Sequence, residues 1–172
     1  MKHILACCIF CSLLACKSLP AQDSIGNIIR QHEYRYLCQL FNSPVPAFFN
    51  ATLYMAVSDW LGVPYRYAGT TLKGVDCSAF VRCVMRDAFG IDAQGNSGTL
   101  YAQSLRVRKK NLEQGDLVFF KTRNRRVSHV GIYLGDNKFA HSSRSNGVIV
   151  SDMDNVYYKT RYAGGGRLRE RK

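Results

Sequence analysis

The hydrophobic period of this chain changes near residue 105, and that change limits its fold more than any other feature. Before it, apolar residues recur at helical spacing. Ile25, Ile28, Ile29, His32, Tyr36, Leu37, Leu40 and Phe41 form one such stretch, ended by Asn42-Ser43-Pro44-Val45-Pro46, and a second runs from about Asn50 to Leu61, stopped by Gly62 and Pro64. Residues 76–89 predict a third helix with Asp76 as N-cap and Gly90 just past its end, and residues 97–105 a further short one. Beyond that point the apolar runs are short, β-branched or aromatic, and separated by turn residues: Leu117–Lys121, Ser128–Leu134, Lys138–Ser142, Val148–Ser151 and Tyr162–Arg169. Helices first and strands later predict an α+β domain, with helices packed on an antiparallel sheet of about five strands.

The cysteines suggest a disulfide framework until they are placed on the chain. Of seven in 172 residues, Cys7, Cys8, Cys11 and Cys16 lie at the very start, which leaves Cys38, Cys77 and Cys83. Three scattered cysteines make no scaffold, and with no Cys-x-x-Cys pair among them nothing calls for a metal or a cofactor. Residues 1–15 combine a basic start (Lys2, His3) with an apolar run from Ile4 to Ala15, too short for a membrane span but suited to a signal peptide. The run ends Leu13-Leu14-Ala15-Cys16, which resembles the lipobox of bacterial lipoproteins. That resemblance implies lipid on Cys16 and a mature protein anchored in the cell envelope, outside the cytoplasm; the alternative is a plain secretory signal cut near Ala21. The expected division is a signal peptide over 1–15, a tether and helical extension over 16–50 with 17–24 as the polar tether, and a domain over 51–172.

The charge is +12, from 24 Lys and Arg against 12 Asp and Glu. Much of it sits in one segment, where Arg106, Arg108, Lys109, Lys110, Lys121, Arg123, Arg125 and Arg126 are opposed only by Glu113 and Asp116. Export excludes nucleic acid as the partner, so the segment is either a solvated set of loops or is drawn to envelope anions such as stem-peptide carboxylates, teichoic acid or lipid headgroups.

The chemistry narrows to one thiol and two imidazoles. Cys77 follows the N-cap Asp76, so its sulfur belongs to the first turn of a helix, where unpaired N–H groups and the helix dipole favour a thiolate. The N–H groups of Cys77 and Ser78 are also placed to receive a negative oxygen. His3 lies in the signal and His32 in the extension, leaving His129 and His141 in the strand-rich half. If Gly135-Asp136-Asn137 form a three-residue loop, Leu134 faces Lys138 and His141 faces Gly131, with His129 on the same side of the sheet. A two-residue loop instead sends the two imidazoles to opposite faces. In the first register His129 can take the thiol proton while His141 orients it; otherwise Cys77 is a core residue and the histidines are structural.

Four blocks carry a resemblance that bears on this choice. Trp60-Leu-Gly-Val-Pro-Tyr-Arg-Tyr-Ala-Gly-Thr-Thr-Leu-Lys-Gly-Val-Asp-Cys-Ser-Ala-Phe80 resembles the nucleophile region of the NlpC-type bacterial cell-wall peptidases. Leu112-Glu-Gln-Gly-Asp-Leu-Val-Phe-Phe120, Ser128-His-Val-Gly-Ile-Tyr-Leu-Gly135 and Phe139-Ala-His-Ser-Ser143 are similar to that family's later motifs, in its order and spacing. The resemblance covers about Thr52–Arg169 and implies a papain-like fold with a Cys-His-His triad on Cys77, His129 and His141. It implies further that Tyr65 lies near the nucleophile, that Asp76 caps its helix, and that Ser78 serves as an oxyanion donor. The implied activity is hydrolysis of peptidoglycan stem peptides through a thioacyl-enzyme, at a γ-D-glutamyl–diaminopimelate (or lysine) bond or a D,D cross-link, by a monomer. A non-catalytic envelope scaffold, or an amidase or acyltransferase, are the rivals. The sequence departs from the family at Ala68 and Ala79, where glycines are usual, and at Gly95–Gln103, where relatives carry a Pro-Arg-Thr-Ser-like segment.

Overall fold

The computed structural model describes residues 21–42, 44–123 and 125–169. The signal peptide and Cys16 therefore lie outside the described residues. Helix α1 spans Ala21–Leu40, α2 Ala51–Ser58, α3 Cys77–Phe89 and α4 Ser97–Gln103. A two-stranded hairpin, β1 Thr70–Thr71 with β2 Gly74–Val75, precedes α3. The main sheet holds β3 Leu105–Val107, β4 Leu117–Phe120, β5 His129–Gly135, β6 Lys138–Ser143, β7 Gly147–Asp152 and β8 Tyr162–Arg167, with the one-turn helix α5 Val156–Lys159 before the last strand. The strand order is β3-β8-β4-β5-β6-β7, antiparallel throughout. One compact unit comprises Tyr34–Lys172, and the chain up to Glu33 forms another, helical over its described part.

The α+β class stands, with three corrections of detail. The sheet has six strands, because Leu105–Val107 pairs with β8 at its edge; three residues are too few to display a period, and the expected helix over 97–105 stops at Gln103. Residues 21–24 are helical where polar composition suggested tether, as suits the helix-favouring Ala21 and Gln22. Helix α2 ends at Ser58, since Trp60 and Leu61 donate to the carbonyls three residues back and tighten the chain into the left-handed Gly62.

Strand β4 is buried on both sides. Leu117 and Phe119 face the helices, joining Phe80, Val84, Leu53, Val57, Val130 and Ile132 in the main core, while Val118 and Phe120 pack with Phe139 and Met153 on the other face. Helix α3 lies on β5 and β6. Its ends follow the sequence closely: the Asp76 side chain accepts from the Ser78 and Ala79 N–H groups, and Gly90 closes it at φ 68°.

The β5–β6 connection decides where the histidines go. The turn holds two residues, Asp136 and Asn137, both left-handed (φ 44° and 62°), with Gly135 opposite Lys138. Alone, that turn would put the imidazoles on opposite faces, and the expected three-residue loop is wrong. A bulge at Leu134 adds the missing residue back, so Tyr133 pairs with Phe139 and Ile132 with Ala140. The register is thus the one that keeps both histidines on one face. The bulged Leu134 carbonyl is held by the Tyr54 hydroxyl of α2 at 2.9 Å, in a buried contact. Tyr54→Phe therefore leaves a buried acceptor bare and is expected to cost about 1–3 kcal/mol in urea unfolding; an unchanged midpoint would show that the bulge holds without it.

Candidate active site

Cys77 opens α3 and is buried at 8% exposure, while His129 opens β5 and His141 lies inside β6. Cys77 and His129 line one cleft of about 400 Å³, together with Tyr65, Asp76 and Ser78. His129 Nε2 lies 2.9 Å from His141 Nδ1, with the rings perpendicular. This contact needs Gly131 between the two histidine positions: a Cβ there would stand 2.7 Å from the Ala140 carbonyl oxygen and 3.1 Å from His141 Cβ.

His141 is fully buried and held on all sides. Its ring stacks on Phe139 and meets Tyr158 edge-on, and its Nε2 contacts Ser151 Oγ at 3.0 Å and Tyr158 Oη at 3.2 Å. These contacts define a proton order. For His129 Nδ1 to accept a proton from the thiol, its Nε2–H must donate to His141 Nδ1, and His141 Nε2–H must donate on to Ser151 or Tyr158. Ser151 and Tyr158 thus hold the second nitrogen of His141, contacts that sequence reasoning missed. Ser151 was visible only as a strand residue. Tyr158 rides on α5, a single turn capped by Asn155, and nothing in the sequence separates it from the chain's other tyrosines.

Electrostatics favour neutral partners. Burial pushes the Cys77 thiol up to about 11, against the backbone N–H groups of Val130, Ser78 and Cys77, which favour the thiolate; the Asp76 charge adds to the rise. The helix N-terminus therefore does not by itself produce a thiolate, because desolvation outweighs it. Burial likewise lowers His129 to about 4, and burial together with the His129 charge holds His141 well below the ordinary histidine value. Thiol and imidazole are therefore both uncharged at neutral pH, and a thiolate–imidazolium pair would form only on proton transfer between them.

The flanking residues are placed less uniformly. Asp76 Oδ1 accepts from the Ser78 N–H at 2.9 Å, the Ala79 N–H at 2.8 Å and the Ser78 hydroxyl at 2.7 Å. Both Ser78 donors are thus engaged by the cap, which leaves the Cys77 N–H as the stronger candidate for an oxyanion. Tyr65 is half-buried on the cleft wall, bridged to Val75 through its backbone. Ala68 adopts φ 55°, where a methyl costs about 1–2 kcal/mol relative to glycine. Its neighbour Gly69 has no such latitude, since a Cβ would fall 2.4 Å from the Gly74 carbonyl oxygen. Asn96 caps α4 and borders the same cleft where the Pro-Arg-Thr-Ser-like segment is missing. Cys38 and Cys83 are free thiols, half-buried against the core.

The chain belongs to the NlpC/P60 family, whose model matches residues 62–167. It is 42% identical over 114 residues to the murein DD-endopeptidase MepS/murein LD-carboxypeptidase of Escherichia coli, a match covering 66% of this chain and 60% of that one. It is 35% identical over 147 residues to a probable endopeptidase of Haemophilus influenzae, covering 85% of this chain and 84% of that one. Among solved structures, an NlpC/P60 family protein from Bacillus cereus superposes with a TM-score of 0.63 at 33% identity, covering 72% of this chain and 41% of the other. The chain thus spans 60% of the length of the E. coli protein and 41% of that of the B. cereus protein.

A buried, lowered His129 must be neutral to accept a proton, so on any substrate the enzyme turns over, kcat/KM should fall on the acid side with an apparent pKa near about 4. An acid limb near the ordinary histidine value, measured as a pH profile, would contradict this placement of the charge.

Proposed function

We propose that this protein hydrolyses an amide bond in peptidoglycan stem peptides, with Cys77 as nucleophile and His129 as the base that His141 orients. The observation that carries this reading is the His129–His141 contact at 2.9 Å on the wall of the cleft that Cys77 shares. As the thiol sulfur attacks the carbonyl carbon, its proton passes to His129 Nδ1, and the imidazolium charge is shared with His141 through the Nε2–H bond. The tetrahedral oxyanion is received at the N-terminus of α3. Collapse transfers the His129 proton to the leaving amine and leaves a thioacyl-enzyme; water, deprotonated by the same imidazole, then releases the acid and restores the thiol.

Membership of the NlpC/P60 family and likeness to proteins named as murein endopeptidases support the substrate class. The name of the E. coli relative favours the D,D cross-link over the γ-D-glutamyl–diaminopimelate bond that the motif resemblance first suggested. We place the protein in the envelope, tethered as a monomer through lipid on Cys16; the Leu13-Leu14-Ala15-Cys16 sequence supports this. Among the described residues no helix is long and apolar enough to cross a membrane.

Incubation with purified, cross-linked muropeptides and mass analysis of the products tests the reading directly. The expected result is conversion of cross-linked dimers to monomers by the intact protein and none by Cys77→Ala, while the N-terminal peptide from cells carries the mass of acyl groups on Cys16. Products cut after D-glutamate would move the scissile bond to the γ-D-glutamyl position. Absence of any cleavage would remove the hydrolase reading and favour a scaffold.

A further inference from the structure

Three arginines surround the cleft, and among the described residues none is in an ion pair. Arg82, on α3, lines the chamber of about 400 Å³ that holds Cys77, and its Nε is buried without a hydrogen-bond partner. A second chamber, about 540 Å³, shares His129 with the first and is lined also by Ser151, Asn155 and Tyr158. Arg123 and Arg144 line both chambers and so stand at the divide, beside His129. The Arg144 guanidinium carbon lies 5.4 Å from the centre of the Tyr65 ring, which brings it against the wall of the Cys77 chamber. The one carboxylate on the walls of these two chambers is Asp76, and its Oδ1 already accepts three hydrogens from Ser78 and Ala79.

The rest of the basic segment behaves differently. Arg106 lies on the Tyr101 ring and donates to the Tyr101 carbonyl, and Lys109 pairs with Asp154 at 3.2 Å. Of the basic residues between 106 and 126, Arg123 is the one that lines the two chambers, its loop tied by its own N–H to Ser128 Oγ at 2.9 Å. The positive charge at the site is therefore a built feature of three different elements: α3, the β4–β5 loop and the β6–β7 turn.

A guanidinium offers a planar fork that fits a carboxylate, and a buried N–H without an acceptor is costly to keep. We propose that Arg82, Arg123 and Arg144 form a carboxylate-recognition site, so that the protein selects peptides bearing an ionised carboxylate next to the scissile amide over the same peptides with that group amidated. This rests on the stem-peptide reading above and goes beyond it, since it concerns which stem chemistry is accepted. It assigns Arg82 and Arg144 as specificity determinants.

The test compares two synthetic stem peptides that differ only in carboxylate against carboxamide, by calorimetric binding to Cys77→Ala and by kcat/KM on the intact protein. The acid form is expected to bind about tenfold tighter at low salt. Arg82→Gln and Arg144→Gln, each added to Cys77→Ala, are expected to abolish most of that preference, and Arg82→Lys to restore part of it. Arg125→Gln, outside both chambers, should leave it in place. If Arg82→Gln fails to fold, the exposed Arg144 decides the matter alone. Equal binding of the two peptides, or a preference that survives both arginine substitutions, overturns the proposal. A retained preference in binding with no cleavage of either peptide would instead overturn the hydrolase reading and leave carboxylate recognition standing.

Discussion

The hydrogen bond between His129 Nε2 and His141 Nδ1 is the contact on which the rest of the site depends, and it is a product of strand register. A tight turn at Asp136-Asn137 would by itself have placed the two rings on opposite faces of the sheet. The bulge at Leu134 corrects it, the Tyr54 hydroxyl holds the bulged carbonyl, and Gly131 leaves room for the rings to meet. A helix-borne tyrosine thereby fixes the geometry of a histidine pair on two strands. The same interlock anchors α2 to the sheet, so stability and site geometry share a cause.

Burial sets the electrostatics of that pair and of the thiol. A helix N-terminus is a favourable place for a thiolate, yet Cys77 is so well desolvated that the neutral thiol is preferred, with the imidazole neutral beside it. Separated charges are expensive here, and a thiolate formed against its own imidazolium is much less so. In the proposed reaction the proton moves only when a carbonyl is present to accept the sulfur. His141, buried with its second nitrogen against Ser151 and Tyr158, holds the His129 ring through its Nε2. Arg82, Arg123 and Arg144 bring positive charge to the cleft, while Cys77 and His129 themselves stay uncharged.

Much of this was legible in the residues. Asp76 and Gly90 marked the ends of α3 because capping and left-handed closure have sharp residue preferences, and the strands of the second half announced themselves by β-branched and aromatic runs. The motif blocks singled out Cys77, His129 and His141, and the fold brings the two imidazoles into contact beside the cleft that Cys77 lines. Other features were hidden for physical reasons. A three-residue edge strand at Leu105 has no period to read, and the one-turn α5 is too short to show a helical stripe. The Leu134 bulge depends on a hydroxyl eighty positions away, which no local pattern reports. The engagement of Ser78 by Asp76 is a choice among acceptors that only geometry settles. The convergence of Arg82, Arg123 and Arg144 is tertiary, and in the sequence Arg123 merges with the basic segment while Arg82 and Arg144 stand apart from it.

The proposed chemistry depends on the protonation and tautomer of the two histidines, which nitrogen-15 NMR of selectively labelled protein reads directly. The expected result is a His129 that carries its proton on Nε2, with a bare Nδ1, and does not titrate until the pH falls to about 4, with His141 held well below the ordinary histidine value. A His129 protonated on Nδ1, or a titration of either ring near the ordinary histidine value, would contradict it.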